Sequence, residues 1–174
     1  VQHIKSQGVL TAASVTPSRV QTFGITAIEA GLDLLVIQST VTTKEFISSR
    51  STGLDLKSFC RDISIPVIVG NCATYEVALE LMKAGASGIL VGIGPGAACT
   101  TRAVLGIGIP QITATVDAAA ARFDYWKETG RYVTVITDGG MRVGGDIAKA
   151  IASGADAVML GSPLASAQEA PGQG

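Results

Sequence analysis

Three segments of the sequence repeat one pattern. AGLDLLVIQS (30–39), AGASGILVGI (84–93) and SGADAVMLGS (153–162) each run from a small residue to a glycine, two further residues, and a short apolar stretch ending in small or polar residues. A glycine in that place supplies the left-handed C′ position that closes a helix. An apolar run without polar alternation is a strand buried on both faces. Each segment is therefore the end of a helix passing into a strand. IPVIVGN (65–71), YVTVITDGG (132–140) and the weaker LTAASVTP (10–17) bring the strands to six. Between them, 74–84 reads as a helix with Thr74 as N-cap and Gly85 beyond its end, and 18–30, 115–129 and 146–153 read similarly. Residues 43–62 are expected to hold one or two shorter helices around Gly53. Such alternation forces parallel strands joined by right-handed crossovers, as in a doubly wound sheet or a (β/α)8 barrel.

The barrel is favoured by where the unusual residues fall. Gln38, Ser39 and Thr40, then Gly70 and Asn71, then the run from Gly92 to Cys99, then Asp138 to Gly140, and finally Gly161 and Ser162 all follow strand ends. In a barrel those ends converge on one mouth, whereas an open sheet concentrates function at one switch point. Six units do not close eight strands, and a barrel typically takes about 250 residues. The 174 residues thus read as a partial catalytic (β/α)8 TIM barrel, 1–174, covering roughly strands three to eight.

Composition narrows the function. With 47 % apolar residues, disorder is excluded, and 13 Lys plus Arg against 14 Asp plus Glu, unclustered, leave no footprint for nucleic acid. No apolar run reaches the roughly 18 to 20 residues that cross a bilayer, so no membrane partner is expected. The opening VQHIKSQG is not a signal peptide, which implies a cytoplasmic chain that starts within a longer one. Cys60, Cys72 and Cys99 fit neither a disulfide framework nor a zinc site. The only histidine, His3, sits in a polar leader, so a general base must be a carboxylate, Lys, Arg or hydroxyl.

Residues 88–110, GILVGIGPGAACTTRAVLGIGIP, carry the densest chemistry. Between Ile89 and Val116 there is no acid, and Arg102 is the only charge. Beside Arg102 and near a helical turn, Cys99 is biased toward thiolate, the nucleophilic form; the alternative is a small buried hydrophobe. Gly92, Gly94 and Gly96 let the loop turn its carbonyls or amides toward a ligand or ion. Packing accounts for Cys60 and Cys72, and also for Phe123, Tyr125 and Trp126. In ITDGGMRVGGDI (136–147) and MLGSPLA (159–165), the paired glycines expose amides, and Ser162–Pro163 reads as an N-cap with a first-turn proline. An anion fits such a helix start, and Asp138 is placed to accept from sugar hydroxyls.

GIGPGAACTT around Cys99, GIGIPQ (106–111), ITDGG (136–140), GADAVMLGSPLA (154–165) and EAPG (169–172) resemble, in order and spacing, the IMP dehydrogenase and GMP reductase family. The likeness is greatest to the bacterial IMP dehydrogenase-related subfamily without regulatory CBS domains. It implies that Cys99 attacks C2 of the purine of bound IMP, that hydride leaves for NAD, and that the covalent thioimidate is hydrolysed to XMP. By the same resemblance Thr101 helps position or activate water, Asp138 holds the ribose, and Gly140, Gly161 and Ser162 hold the 5′-phosphate. Ala97 stands in the substrate loop where a Ser commonly touches that phosphate. Asn71 and Gly92 line the substrate and nicotinamide side. Gln38, followed by Ser39, replaces the usual Asp that contacts the dinucleotide. Carbonyls of Gly94, Gly96 and Cys99 would bind potassium, and the assembly would be a homotetramer.

Three other functions fit the same residues. A GMP reductase would use Cys99 and Thr101 to expel ammonia from GMP with NADPH as hydride donor; Pro95 is shared with that branch, and Glu169 sits near the position of a reductase acid. A flavin-dependent barrel oxidoreductase would hold FMN phosphate on the same Gly-Gly and Gly-Ser turns. A non-catalytic paralogue that binds purine nucleotide is suggested by Gln38 and Ala97.

Overall fold

The computed structural model describes residues 1–47 and 53–172. After a short helix, α1 (Gln2–Lys5), come β1 (Ala12–Val15), a 3-10 turn, a π turn and α2 (Ile25–Glu29), then β2 (Leu34–Gln38). A hairpin of β3 (Glu45–Phe46) and β4 (Leu54–Asp55) leads into α3 (Leu56–Asp62) and β5 (Val67–Cys72). The rest alternates strictly: α4 (Tyr75–Lys83), β6 (Gly88–Val91), α5 (Thr101–Leu105) and α6 (Gln111–Thr129), β7 (Thr134–Asp138), α7 (Gly144–Ala152), β8 (Ala157–Met159), α8 (Ser162–Ala165).

The six long strands form one parallel sheet in the order β1-β2-β5-β6-β7-β8. The central strands β5, β6 and β7 are buried along most of their length, as strands covered on both faces require, whereas β2 alternates and the edge strands β1 and β8 are only partly covered. The glycines at the three repeated helix ends, Gly31, Gly85 and Gly154, all have positive φ, between 90° and 106°. The sheet is curled. β2 and β7 are separated by two strands, so in a flat sheet they would lie roughly 14 Å apart. Yet the Gln38 carboxamide reaches the Asp138 carboxylate at 3.0 Å. Sequential order plus that curvature is an arc of a (β/α)8 barrel.

Four local expectations are corrected. Residues 43–62 hold an antiparallel hairpin before a single helix; residues 48–52 of that stretch lie outside the described residues. Asp55 opens α3 by accepting from the amides of Lys57 and Ser58. The 115–129 helix begins earlier, at Gln111, because Pro110 ends the loop and presets the entry. Ser162 is the first helical residue of α8, the N-cap being Gly161, and no side chain caps that end. Of the three aromatic residues on α6, only Tyr125 is in the core; Phe123 lies under Lys127, and Trp126 meets Tyr132 edge to face.

α6 is fastened to the sheet beneath the site by a buried hydroxyl pair, Thr115 with Thr137 at 2.9 Å. It also carries Gln111, whose side-chain nitrogen donates to the carbonyls of Val91 and Asp138 at 2.6 and 3.2 Å. That bridge ties the ends of β6 and β7 together. Gly92, just past β6, has φ +139°, and a Cβ there would lie 2.5 Å from the Asp138 carbonyl and 2.6 Å from the Gln111 side chain. Only glycine lets the three chain segments approach so closely.

Candidate active site

The three cysteines separate sharply in burial. Cys72 is buried in the core and Cys60 is packed against it; burial pushes their thiols up to about 12 and about 11. Cys99 is exposed in the loop before α5. Its thiol lies 3.2 Å from the Thr101 hydroxyl. That hydroxyl, then the Thr101 amide and more weakly the Arg102 charge, holds it below the ordinary thiol range, with slight burial and Asp138 opposing. Hydrogen bonds to a thiolate favour it as a neighbouring cation does. The bias toward thiolate expected from Arg102 is present, but Thr101 contributes more to it. Arg102 is spent on the loop: its Nε donates to the Ile93 carbonyl at 3.3 Å and its Nη2 to the Ile109 carbonyl at 2.7 Å.

Asp138 ends β7 with its carboxylate turned toward β2 and β5. Its Oδ2 accepts from Asn71 Nδ2 at 2.8 Å and from Gln38 Nε2 at 3.0 Å. Gln38 Nε2 also donates to Asn71 Oδ1 at 3.0 Å, and Asn71 Nδ2 to the Gly92 carbonyl at 2.9 Å. A register shift between Gly70 and Cys72 on β5 carries Asn71 into this cluster. Ser39 bonds to Thr42, whose hydroxyl donates to the Gly70 carbonyl, which fixes the loop after β2.

Two clefts meet here. One, of about 420 Å³, is lined by Gln38, Ser39, Asn71, Gly92 and Gly94, together with Ser14 and Thr16 of the first strand end. The other, of about 600 Å³, is lined by Ala97, Gly140, Met141, Arg142, Gly161 and Ser162. Gly96, Cys99, Asp138 and Gly139 border both. The structure thus gathers every site residue expected from sequence around one thiol and one carboxylate. Sequence reasoning missed Gln111, Ser14 and Arg142. Only Gln111 left a signal, a polar residue directly after the proline that opens a helix.

These features define a barrel-type protein whose strand ends gather an exposed thiol, a clamped carboxylate and two Gly-rich turns at the junction of two clefts. Residues 2–174 match the family model described as the IMP dehydrogenase/GMP reductase domain. An uncharacterized oxidoreductase from Mycolicibacterium smegmatis is 48 % identical over the whole chain and 47 % of its own length. An inosine-5′-monophosphate dehydrogenase from Haemophilus influenzae is 48 % identical over 84 % of the chain and 28 % of its own length. The chain thus spans about half, or less, of the curated relatives it matches. The crystal structure of an IMP dehydrogenase/GMP reductase-like protein from Corynebacterium glutamicum superposes with a TM-score of 0.87 and 45 % identity, over 96 % of this chain and 43 % of that one. A GMP reductase from Trypanosoma brucei in complex with guanosine 5′-monophosphate superposes at 0.79 with 37 % identity, over 95 % and 33 %. The chain belongs to the IMP dehydrogenase/GMP reductase family, an oxidoreductase family, and its six-stranded arc is part of that family's TIM barrel. Among the described residues, no helix is long and apolar enough to cross a membrane.

Proposed function

We propose that the chain carries the catalytic barrel of an IMP dehydrogenase, which oxidises IMP to XMP with NAD through Cys99. The observation that carries this reading is the position of Cys99 where the two clefts meet. A purine nucleotide with its phosphate toward Gly140, Gly161 and Ser162 and its ribose on Asp138 would present its base to the thiol. The first cleft, sharing that thiol and lined by Gly92 and Asn71, suits a flat nicotinamide on the other side. A bound dinucleotide supplies a hydride acceptor.

The chain's own residues do the rest. Cys99, its thiolate favoured by Thr101, adds its sulfur to C2 of the purine. C2 then gives up its hydrogen as hydride, which leaves a C2=N double bond and a carbon–sulfur bond. Water adds to C2, the carbon–sulfur bond breaks, and the thiolate is regenerated as XMP forms. Thr101 is close enough to the sulfur to orient that water. For potassium, the carbonyls of Gly94, Gly96 and Cys99 are proposed as ligands; the Gly96 carbonyl accepts from the Cys99 amide at 3.1 Å and keeps a second lone pair for an ion. No step here depends on the ion.

GMP reduction by the same Cys99 and Thr101 is the second reading, favoured by the likeness to a GMP-bound structure and by Gln38 in place of an acid. Assaying the intact protein with IMP plus NAD and with GMP plus NADPH tests both. Turnover with the first pair supports the dehydrogenase; turnover with the second pair alone replaces it with the reductase. The homotetramer expected from the resemblance is checked by sedimentation of the same preparation.

A further inference from the structure

We propose that Gln38 is a positioning residue for the nucleotide, acting through Asp138, rather than a contact for the dinucleotide. The inference rests on the reading of Asp138 as the ribose acceptor. A carboxamide nitrogen carries two hydrogens, and here both are used: one on Asn71 Oδ1 and one on Asp138 Oδ2, each at 3.0 Å. Asn71 in turn gives its nitrogen to the same Asp138 oxygen and to the Gly92 carbonyl. The orientation of both amides follows from this set, since turning either would set acceptor against acceptor.

Oδ2 of Asp138 is therefore held by two donors from two other strands, and Oδ1 is the oxygen this pair does not engage. A half-buried carboxylate, free to turn about χ1 and χ2, would otherwise sample several orientations. Clamped by Gln38 and Asn71, it presents Oδ1 in one direction, which is the preorganisation that recognition of a sugar diol requires. The amide at position 38 is what makes the clamp. A carboxylate in that place would bring a third acceptor and a second negative charge against Asp138 and leave Asn71 Oδ1 without its donor. An amide at this strand end and an acid at the end of β7 form one unit spanning the curled sheet.

Calorimetric titration of the intact protein with IMP and with GMP, which needs no turnover, tests this in Gln38→Met, Asp138→Ala and the double variant. Methionine keeps the length and bulk of glutamine and removes both donors. Gln38→Met is expected to weaken nucleotide binding roughly 5- to 30-fold through lost preorganisation of Asp138, with the KM for the dinucleotide changed less than about twofold on the same scale. Asp138→Ala should weaken binding at least as much, and the double variant no further. Thermal melting reports folding of each variant separately. Wild-type nucleotide affinity in Gln38→Met, additive losses in the double variant, or a raised dinucleotide KM with unchanged nucleotide affinity would each overturn the proposal. A wild-type protein that binds nucleotide without turnover defeats the proposed reaction and leaves the clamp standing; one that binds neither nucleotide defeats both.

Discussion

The Cys99 sulfur, in the loop before α5, and the hydroxyl of Thr101, the first residue of that helix, are 3.2 Å apart. The pair favours the thiolate of an exposed cysteine that has no histidine neighbour. Removing the hydroxyl should therefore raise the Cys99 pKa. In Thr101→Val the pH profile of alkylation by iodoacetamide is expected to move to higher pH, while Arg102→Ala moves it less. An unshifted profile in Thr101→Val would assign the activation elsewhere.

Cys99→Ser keeps the shape of the loop and replaces the nucleophile. Turnover should fall by roughly 10⁴-fold or more, with the Kd for nucleotide changed only about twofold. Titration of Cys99→Ser with IMP checks the second half. A variant that keeps most of its turnover would remove Cys99 from the chemistry.

Gly92 and Gly145 give opposite outcomes on the same substitution. Gly92→Ala forces a Cβ against the Asp138 carbonyl and Gln111 at a backbone angle that L-residues avoid. It should cost about 2 to 4 kcal/mol in urea unfolding. Gly145 lies in the first turn of α7 with nothing within 4 Å of its added Cβ. Gly145→Ala is expected to stabilise by about 0.4 to 1 kcal/mol. Equal effects at the two positions would contradict the close packing at the mouth.

Much of this arrangement is legible in the sequence because the repeated glycine-plus-apolar runs state two things at once. Gly31, Gly85 and Gly154 mark helix ends and a strand follows each, but only β6 is buried along its whole length, whereas β2 alternates and β8 at the sheet edge leaves Met159 exposed. What escaped is what depends on partners distant in sequence. The hairpin of Glu45–Phe46 with Leu54–Asp55 is too short to show a period, so its polar residues resemble an exposed helix face. The site residues could be found one by one at strand ends. That Gln38 meets Asp138, a hundred positions away, follows only from the curvature of the sheet. The weak effect of Arg102 on Cys99 is hidden for a related reason, because its guanidinium is taken by carbonyls that no local pattern reveals.

At the opposite end of the barrel, Asp33 links β1 to the loop before β2. The amide of Thr11 first, then Lys5 and the Thr11 hydroxyl, lower its pKa to about 2. The folded value lies below the unfolded value of about 3.9. The contribution to stability is therefore complete above about pH 4 and is lost as pH falls toward 2. Acid titration followed by circular dichroism should show Asp33→Asn to be less stable near neutrality, with the difference from wild type closing between pH 4 and 2. A gap that stays constant across that window would show that Asp33 acts by packing alone.

Trapping the intermediate on Cys99 bears most directly on the central claim. Acid quench of the intact protein during turnover with IMP and NAD, followed by peptide mass spectrometry, should find the nucleotide attached to the peptide that contains Cys99. The adduct should be missing in Cys99→Ser and when NAD is left out. Steady turnover with no adduct on Cys99 at any quench time, or undiminished turnover in Cys99→Ser, would contradict it.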